Sequence, residues 1–289
     1  MGSHVLTLPD GRQLGYFVAG KGVPVIYFHG TASSRIEALL LKRFSTQNLK
    51  IIAIDRPGYG LSTYKPRKNI QDFNCDLNFL ADHLGITQFS VLGWSGGGTF
   101  ALAYMACFPQ RINHGVVVGT PDLPFDASTA HDMPLAKYMM KLPVLGALAM
   151  KNMRRQILKA DCSEDFLRSS TGRQMLHGCS SRDLVFFSNP NWIELMYQSM
   201  AEAFRQNDGV RAVLEEHRLF LKTWNLPFKA FKGIGNKLWI WHGVEDKTCP
   251  VDNAYRIARK FEGTGLEVFP RQGHCVMFDN LDRLAELLI

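Results

Sequence analysis

The chain has 289 residues, 46% of them hydrophobic and 20% charged, which is enough to bury one large core and carry an insertion. Its formal charge of +7 is scattered, with small clusters only at Lys65–Lys68 and Lys151–Arg155, and no G-x-x-x-x-G-K-[ST] phosphate loop occurs, so no nucleic-acid partner is expected. No apolar run approaches a transmembrane span, so stable membrane insertion is not expected either, and the six cysteines show neither a C-x-x-C pair nor a Cys/His spacing suited to zinc.

Met1–His4 reads as a cloning remnant, and no signal peptide is recognised before Val5–Leu8. The expectation is a cytoplasmic compartment and free thiols. Val5–Leu8 and Gln13–Val18 surround Asp10-Gly11, a hairpin turn signal. Val23–Phe28 is almost continuously apolar, as a strand buried on both faces should be, and runs into His29-Gly30-Thr31. A helix is predicted over 36–46, and Ile51–Ile54 forms a second buried strand that runs into Asp55-Arg56-Pro57-Gly58-Tyr59-Gly60-Leu61-Ser62. Phe73, Leu77, Leu80 and Leu84 stand at helical spacing within 69–84. The strand Phe89–Leu92, a helix over Thr99–Cys107 and the strand Val116–Val118 follow.

From Pro121 to about Lys232 strand signals vanish. Helical stripes replace them: Trp192, Leu195, Met196, Ser199 and Ala203 in one, and Val210, Val213, Leu214, His217, Leu221 and Trp224 in another. Lys237–His242 then restores a buried strand, followed by a helix over Val251–Phe261 and the strand Leu266–Phe269. The alternation predicts an α/β fold with a mostly parallel, doubly wound sheet of about eight strands, built from residues 1–120 and 233–289, with 121–232 as an inserted helical cap. In such sheets ligands bind beyond the carboxyl ends of the strands, where His29-Gly30, Asp55 and Ser95 all fall.

Gly93-Trp94-Ser95-Gly96-Gly97 lies between the apolar strand Phe89–Leu92 and a helical run. A G-x-S-x-G pentapeptide there is a nucleophile elbow: glycines flank the serine because the turn leaves no room for a Cβ, and the hydroxyl is pushed clear at a helix amino end. Ser95 is therefore the candidate nucleophile, and a hydroxyl needs a base to take its proton. Of nine histidines, His274 in Gln272-Gly273-His274-Cys275 is best placed, on a loop after the last strand; His29, His242 and His217 are weaker candidates. The base needs an acid, and Asp246 fits, following the strand in His242-Gly243-Val244-Glu245-Asp246, with adjacent Glu245 as its close competitor. The oxyanion donors are assigned to the backbone N–H groups of Gly96 and Thr31.

These motifs, F-H-G-T-A-S-S (28–34), D-R-P-G-Y-G-L-S (55–62), G-W-S-G-G (93–97), W-H-G-V-E-D-K-T-C-P-V (241–251) and Q-G-H-C (272–275), resemble those of the α/β-hydrolase superfamily over residues 5–289. The combination is similar to capped bacterial hydrolases of the esterase-like and proline-iminopeptidase-like branch. The resemblance implies Ser95 as nucleophile, Asp246 as acid, His274 as base, and oxyanion donors at Thr31 and Gly96, in the chain order Ser…Asp…His. Proline iminopeptidases carry H-G-G-P-G where this chain has H-G-T-A-S, a departure that weighs against peptidase activity. The serine sets the chain apart from the dehalogenases and epoxide hydrolases of this fold, which use aspartate at the elbow.

The expected activity is carboxylesterase-like, acting on a small, largely apolar acyl substrate without metal or organic cofactor. Met139, Met140, Leu145, Met150, Met153, Trp192, Met196 and Met200 are expected to offer an adaptable apolar pocket wall, and Trp94 to contact substrate. Two other readings stay open: a ligand-binding or signalling protein that keeps the three residues, and a C–C hydrolase, lyase or cofactor-free oxygenase on the same fold.

Overall fold

Asp10-Gly11 turns the chain between β1 (Gly2–Thr7) and β2 (Gln13–Gly20), which pair antiparallel with Leu6 opposite Leu14. In the computed structural model, which describes residues 2–125, 143–227 and 235–289, the ladder reaches back to Gly2, opposite Val18. The remaining strands are β3 (Val23–Phe28), β4 (Leu49–Ile54), β5 (Phe89–Trp94), β6 (Ile112–Val118), β7 (Leu238–Gly243) and β8 (Gly265–Phe269). They form one sheet in the order β1-β2-β4-β3-β5-β6-β7-β8. From β4 to β8 all neighbours are parallel; β2 meets β4 antiparallel.

The apolar runs explain the layering, because alternate residues of each strand enter different cores. Val25, Tyr27, Ile51, Ala53, Leu92, Val116, Val118 and Trp241 belong to one core, and Ile26, Phe28, Ile52, Ile54, Val91, Val117 and Ile240 to the other. Helices α1 (Asn74–His83) and α2 (Gly96–Cys107) fill the second core with Leu77, Leu80 and Phe100–Ala106.

Among the described residues, six α-helices lie between β6 and β7 in the chain: Pro143–Lys159, Ser163–Arg168, Ser170–His177, Ser181–Ser188, Pro190–Arg205 and Gly209–Phe220. Their Met150, Phe166, Phe186, Met196, Met200 and Val213 share the first core with the sheet. Polar contacts add to that seat. Arg35 Nη1 donates to Asp55 at 2.7 Å and to Glu202 of the inserted helices at 2.8 Å, and Ser199 Oγ accepts from Ser34 N–H at 3.0 Å.

Several element limits differ from the sequence expectation. The segment 36–46 is a 3-10 helix, Arg35–Thr46, broken at Leu41 (φ −94°, ψ 15°), because adjacent Leu40 and Leu41 are both buried and packing overrides α-helical spacing. The segment 69–84 is a 3-10 turn at Ile70–Phe73, opened by a capping box of Asn69 with Asp72, followed by α1. The second inserted stripe stops at Phe220, so Leu221 and Trp224 leave the helix, and Trp224 Nε1 donates to Asp122 at 3.0 Å. Met139 and Met140 lie outside the described residues. Among those residues no helix is long and apolar enough to cross a membrane, and all six cysteines are unpaired.

Candidate active site

β5 hands the chain to α2 through one residue, Ser95, at φ 54° and ψ −132°. For a residue with a Cβ this conformation is strained, by about 1–3 kcal/mol. It is fixed by Ser95 N–H donating to the Val118 carbonyl at 2.8 Å and by Gly98 N–H donating to the Ser95 carbonyl at 3.0 Å. The glycines are sterically required: a Cβ on Gly97 would collide with the carbonyl oxygens of Phe28 and His29. α2 accordingly starts at Gly96, three residues earlier than helical periodicity indicates. Its first N–H groups, Gly96 included, have no intrahelical partner.

The loop after β7 carries Asp246, whose side chain is fully buried. Its Oδ1 accepts the backbone N–H groups of Thr248 (2.9 Å) and Cys249 (2.8 Å), which orients the carboxylate. Its Oδ2 lies 2.7 Å from His274 Nδ1 and 3.3 Å from His242 Nε2. Glu245, the competing acid, points into solvent. Burial disfavours charge on both partners, yet their attraction wins: His274 is pushed above the usual histidine range, and Asp246 well below the carboxylate range.

The elbow and this pair share one neighbourhood. Val118 accepts the Ser95 N–H, and a Cβ on the next residue, Gly119, would lie 3.0 Å from His274 Nδ1 and 3.3 Å from Asp246 Oδ2. Trp94, beside Ser95, donates its indole N–H to the His274 carbonyl at 2.9 Å. Neither Ser95 Oγ nor His274 Nε2 has a hydrogen-bond partner among the described residues. Such contacts commonly tighten only when substrate binds.

Thr31 follows Gly30, whose N–H is already committed to Glu37 Oε1 at 2.9 Å. The Thr31 side chain sits directly against Gly96, where a Cβ would collide with its Oγ1. The two residues expected to supply oxyanion donors therefore meet. Their loop is held from behind by Arg56, which donates to the carbonyls of His29 and Gly30 and forms a bidentate pair with Glu216 of the inserted helices (2.6 and 2.9 Å).

The weaker histidines are structural. His29 Nδ1 bonds the Gly30 carbonyl at 2.7 Å and His217 Nδ1 the Val213 carbonyl at 2.8 Å, and burial pushes both rings below the usual histidine range. His242 Nε2 donates to the Cys249 carbonyl at 2.6 Å. Trp94 is buried between His274 and Phe278, with ring centroids 5.3 and 5.2 Å away, so it packs behind the His274 loop. Leu145 is 56% exposed, because its helix turns that side to solvent. Met196 is buried in the shared core, and half-buried Trp192 packs on Phe186 with ring centroids 5.0 Å apart and planes tilted by 34°.

Sequence reasoning missed Phe220, whose ring would lie 2.9 Å from a Cβ on Gly96, and also Glu37, Arg56, Glu216 and Asp183. Arg56, Glu216 and Asp183 reach the site from elements distant in sequence, which no periodicity reports, whereas Glu37 lies only seven residues beyond the Gly30 N–H that it accepts. A local signal existed only for Asp183: Ser180 and Asp183 form a capping box, which reads as a helix start and nothing more.

The chain is 24% identical to a proline iminopeptidase of Xylella fastidiosa, over 97% of this chain and 93% of the relative. It is 23% identical to a 2-hydroxy-6-oxo-2,4-heptadienoate hydrolase of Pseudomonas putida, over 95% and 90%. Among solved structures it resembles an esterase of Exiguobacterium antarcticum, with a TM-score of 0.65 and 18% identity over 98% of this chain and 97% of that one. At that identity the likeness speaks for the fold. A family model described as alpha/beta hydrolase fold matches residues 23–281, and the chain belongs to that family.

Proposed function

We propose that the protein is a serine hydrolase that cleaves a small, largely apolar ester or related acyl substrate through an acyl-enzyme. The observation that carries this reading is the 2.7 Å contact between Asp246 and His274, next to a serine held at a strained elbow. In this reading Asp246 keeps the proton on Nδ1 and leaves Nε2 as the base. Nε2 takes the Ser95 proton as Oγ attacks the carbonyl carbon. The oxyanion accepts hydrogen bonds from Gly96 and Thr31 N–H, aided by the amino end of α2. Collapse breaks the bond to the alcohol, which leaves with the proton from Nε2. Water then adds to the acyl-enzyme with His274 again as base, and the acid departs from Ser95. The course needs no metal or organic cofactor.

The segment 121–232 serves as the cap over this site, with Phe220 as the apolar wall nearest the nucleophile and Trp192 and Met196 farther out. The test is turnover of 4-nitrophenyl esters of graded acyl length by the purified chain, with fluorophosphonate labelling alongside. Activity and labelling are expected, and Ser95→Ala should lose both. Hydrolysis that survives Ser95→Ala would refute the proposal.

A second reading, C–C bond hydrolysis by the same residues, is favoured by the likeness to the P. putida hydrolase. Including 2-hydroxy-6-oxo-2,4-heptadienoate in the panel separates it from ester cleavage. L-proline 4-nitroanilide does the same for peptidase activity, which the H-G-T-A-S loop disfavours. A ligand-binding protein would show no more than a few turnovers in any arm.

A further inference from the structure

We infer that Asp183 is a positioning residue for the base: a carboxylate from the inserted helices that grips the backbone of the His274 loop and places a fixed negative charge beside the ring. The inference rests on the reading of His274 as the base. His274 is held at three points by three separate parts of the chain. Its ring Nδ1 bonds Asp246 at 2.7 Å and its carbonyl accepts from Trp94 at 2.9 Å. Its N–H donates to Asp183 Oδ2 at 3.0 Å, while the next N–H, of Cys275, donates to Asp183 Oδ1 at 2.8 Å. Ser180 fixes the carboxylate in turn, donating its Oγ–H at 2.8 Å and its N–H at 3.2 Å to Oδ2.

The residue types follow from this geometry. A carboxylate offers two coplanar acceptors, whereas an amide would turn an NH2 toward one of two N–H donors. Gly273 must lack a side chain, since a Cβ there would collide with Asp183 Oδ2 and Ser180 Oγ. Asp183 is 2% exposed, and no Lys or Arg pairs with it among the described residues. A buried anion without a cationic partner is costly. Its charge favours the imidazolium that forms on His274 during the reaction.

The other titratable groups around the ring are Asp246 and His242 from β7 and its loop, Glu37 from the 3-10 helix, Cys179 from the inserted helices, and Cys275. Burial pushes the Cys179 thiol up to about 12 and holds Cys275 well above the usual range, so the anions are carboxylates. Asp183 and Asp246 both favour the charged ring.

The test uses the full chain and Asp183→Asn. In the unmodified protein the His274 and Cys275 amides should be protected from hydrogen exchange. In the variant they should exchange roughly tenfold faster, as expected for a lost buried hydrogen bond. The His274 ring, followed by NMR titration, should lose its proton at lower pH. With a 4-nitrophenyl ester, kcat should fall on the order of 10–100-fold with KM nearly unchanged, and the acid limb should move to lower pH. An unchanged ring titration, or unprotected amides in the unmodified protein, would overturn the inference. Should Asp183→Asn fail to fold, Ser180→Ala keeps the charge and loosens its anchor; faster exchange at both amides supports the proposal, and unchanged exchange refutes it. Ring titration and exchange need no substrate, so they stand or fall separately from the catalytic reading tested with Ser95→Ala.

Discussion

His274 and Asp246 stand 28 positions apart in the chain and 2.7 Å apart in space. Replacing Asp246 with Asn keeps the shape but presents an amide to Nδ1, which favours the wrong tautomer. Turnover should fall on the order of 10³–10⁴-fold, while Glu245→Gln leaves it unchanged; a reversed pattern in steady-state kinetics would reassign the acid. The base must be neutral to accept a proton, so kcat/KM should rise with pH. Because Asp246 raises the affinity of His274 for its proton, the midpoint should lie above about 6.5, the ordinary histidine value. A pH profile with its midpoint below that value would contradict the geometry. The positions of Ser95 at a strand-to-helix turn and of His274 on a loop after the last strand were legible in the sequence, because each carries a local signature. The choice between Asp246 and Glu245 was not, since adjacent side chains point apart and only the Thr248 and Cys249 N–H groups decide which one turns inward.

Among the elements, the helix Gly209–Phe220 does the most for the site. It sends Phe220 against Gly96 and Glu216 into a pocket where neither it nor Arg56 is exposed. Arg67 reaches the same carboxylate at 3.3 Å, and the Arg56 guanidinium lies 4.8 Å from the Phe100 ring centroid. Removing one member of a buried ion pair leaves an uncompensated charge, so Glu216→Gln should destabilise the fold by about 3–5 kcal/mol in urea unfolding. It should also slow turnover, because Arg56 holds the carbonyls of His29 and Gly30. A fully stable and active variant would show that the pair is dispensable. At the elbow, Gly97→Ala must displace the β3 backbone or the helix. A loss of about 1–3 kcal/mol or more is expected, with activity falling alongside it in the folded fraction.

For the whole molecule, the charged contacts between the inserted helices and the sheet make stability depend on pH. Glu216 is held down to about 2 against 4.5 when unperturbed: burial resists its charge, but Arg56 and Arg67 overcome that. The folded state thus binds the proton less readily than the unfolded one. The stabilisation from Glu216 is complete above about 4.5 and is lost as pH falls toward about 2. Asp246 acts in the same direction, while Asp55 and Glu37, both pushed up by burial, act in the opposite one. The stability gap between the unmodified chain and Glu216→Gln should therefore be widest near neutral pH and shrink through that acid window. A gap that stays constant from pH 7 to pH 3 in urea titrations would refute the linkage.

The amino-acid sequence alone determined the alternation of strands and helices and the strand-to-helix turn at Ser95. These depend on near neighbours: apolar runs for strands buried on both faces, and glycines where a turn leaves no room. Even there, packing moved the limits, making 35–46 a 3-10 helix and ending the last inserted helix at Phe220. Tertiary structure alone decided that Trp94 packs behind the His274 loop, that Phe220 packs against Gly96, and that Glu216 and Asp183 reach across from the inserted helices. Those contacts join residues as much as 180 positions apart. Helical spacing shows that a face is buried; what it is buried against depends on how the chain folds back on itself.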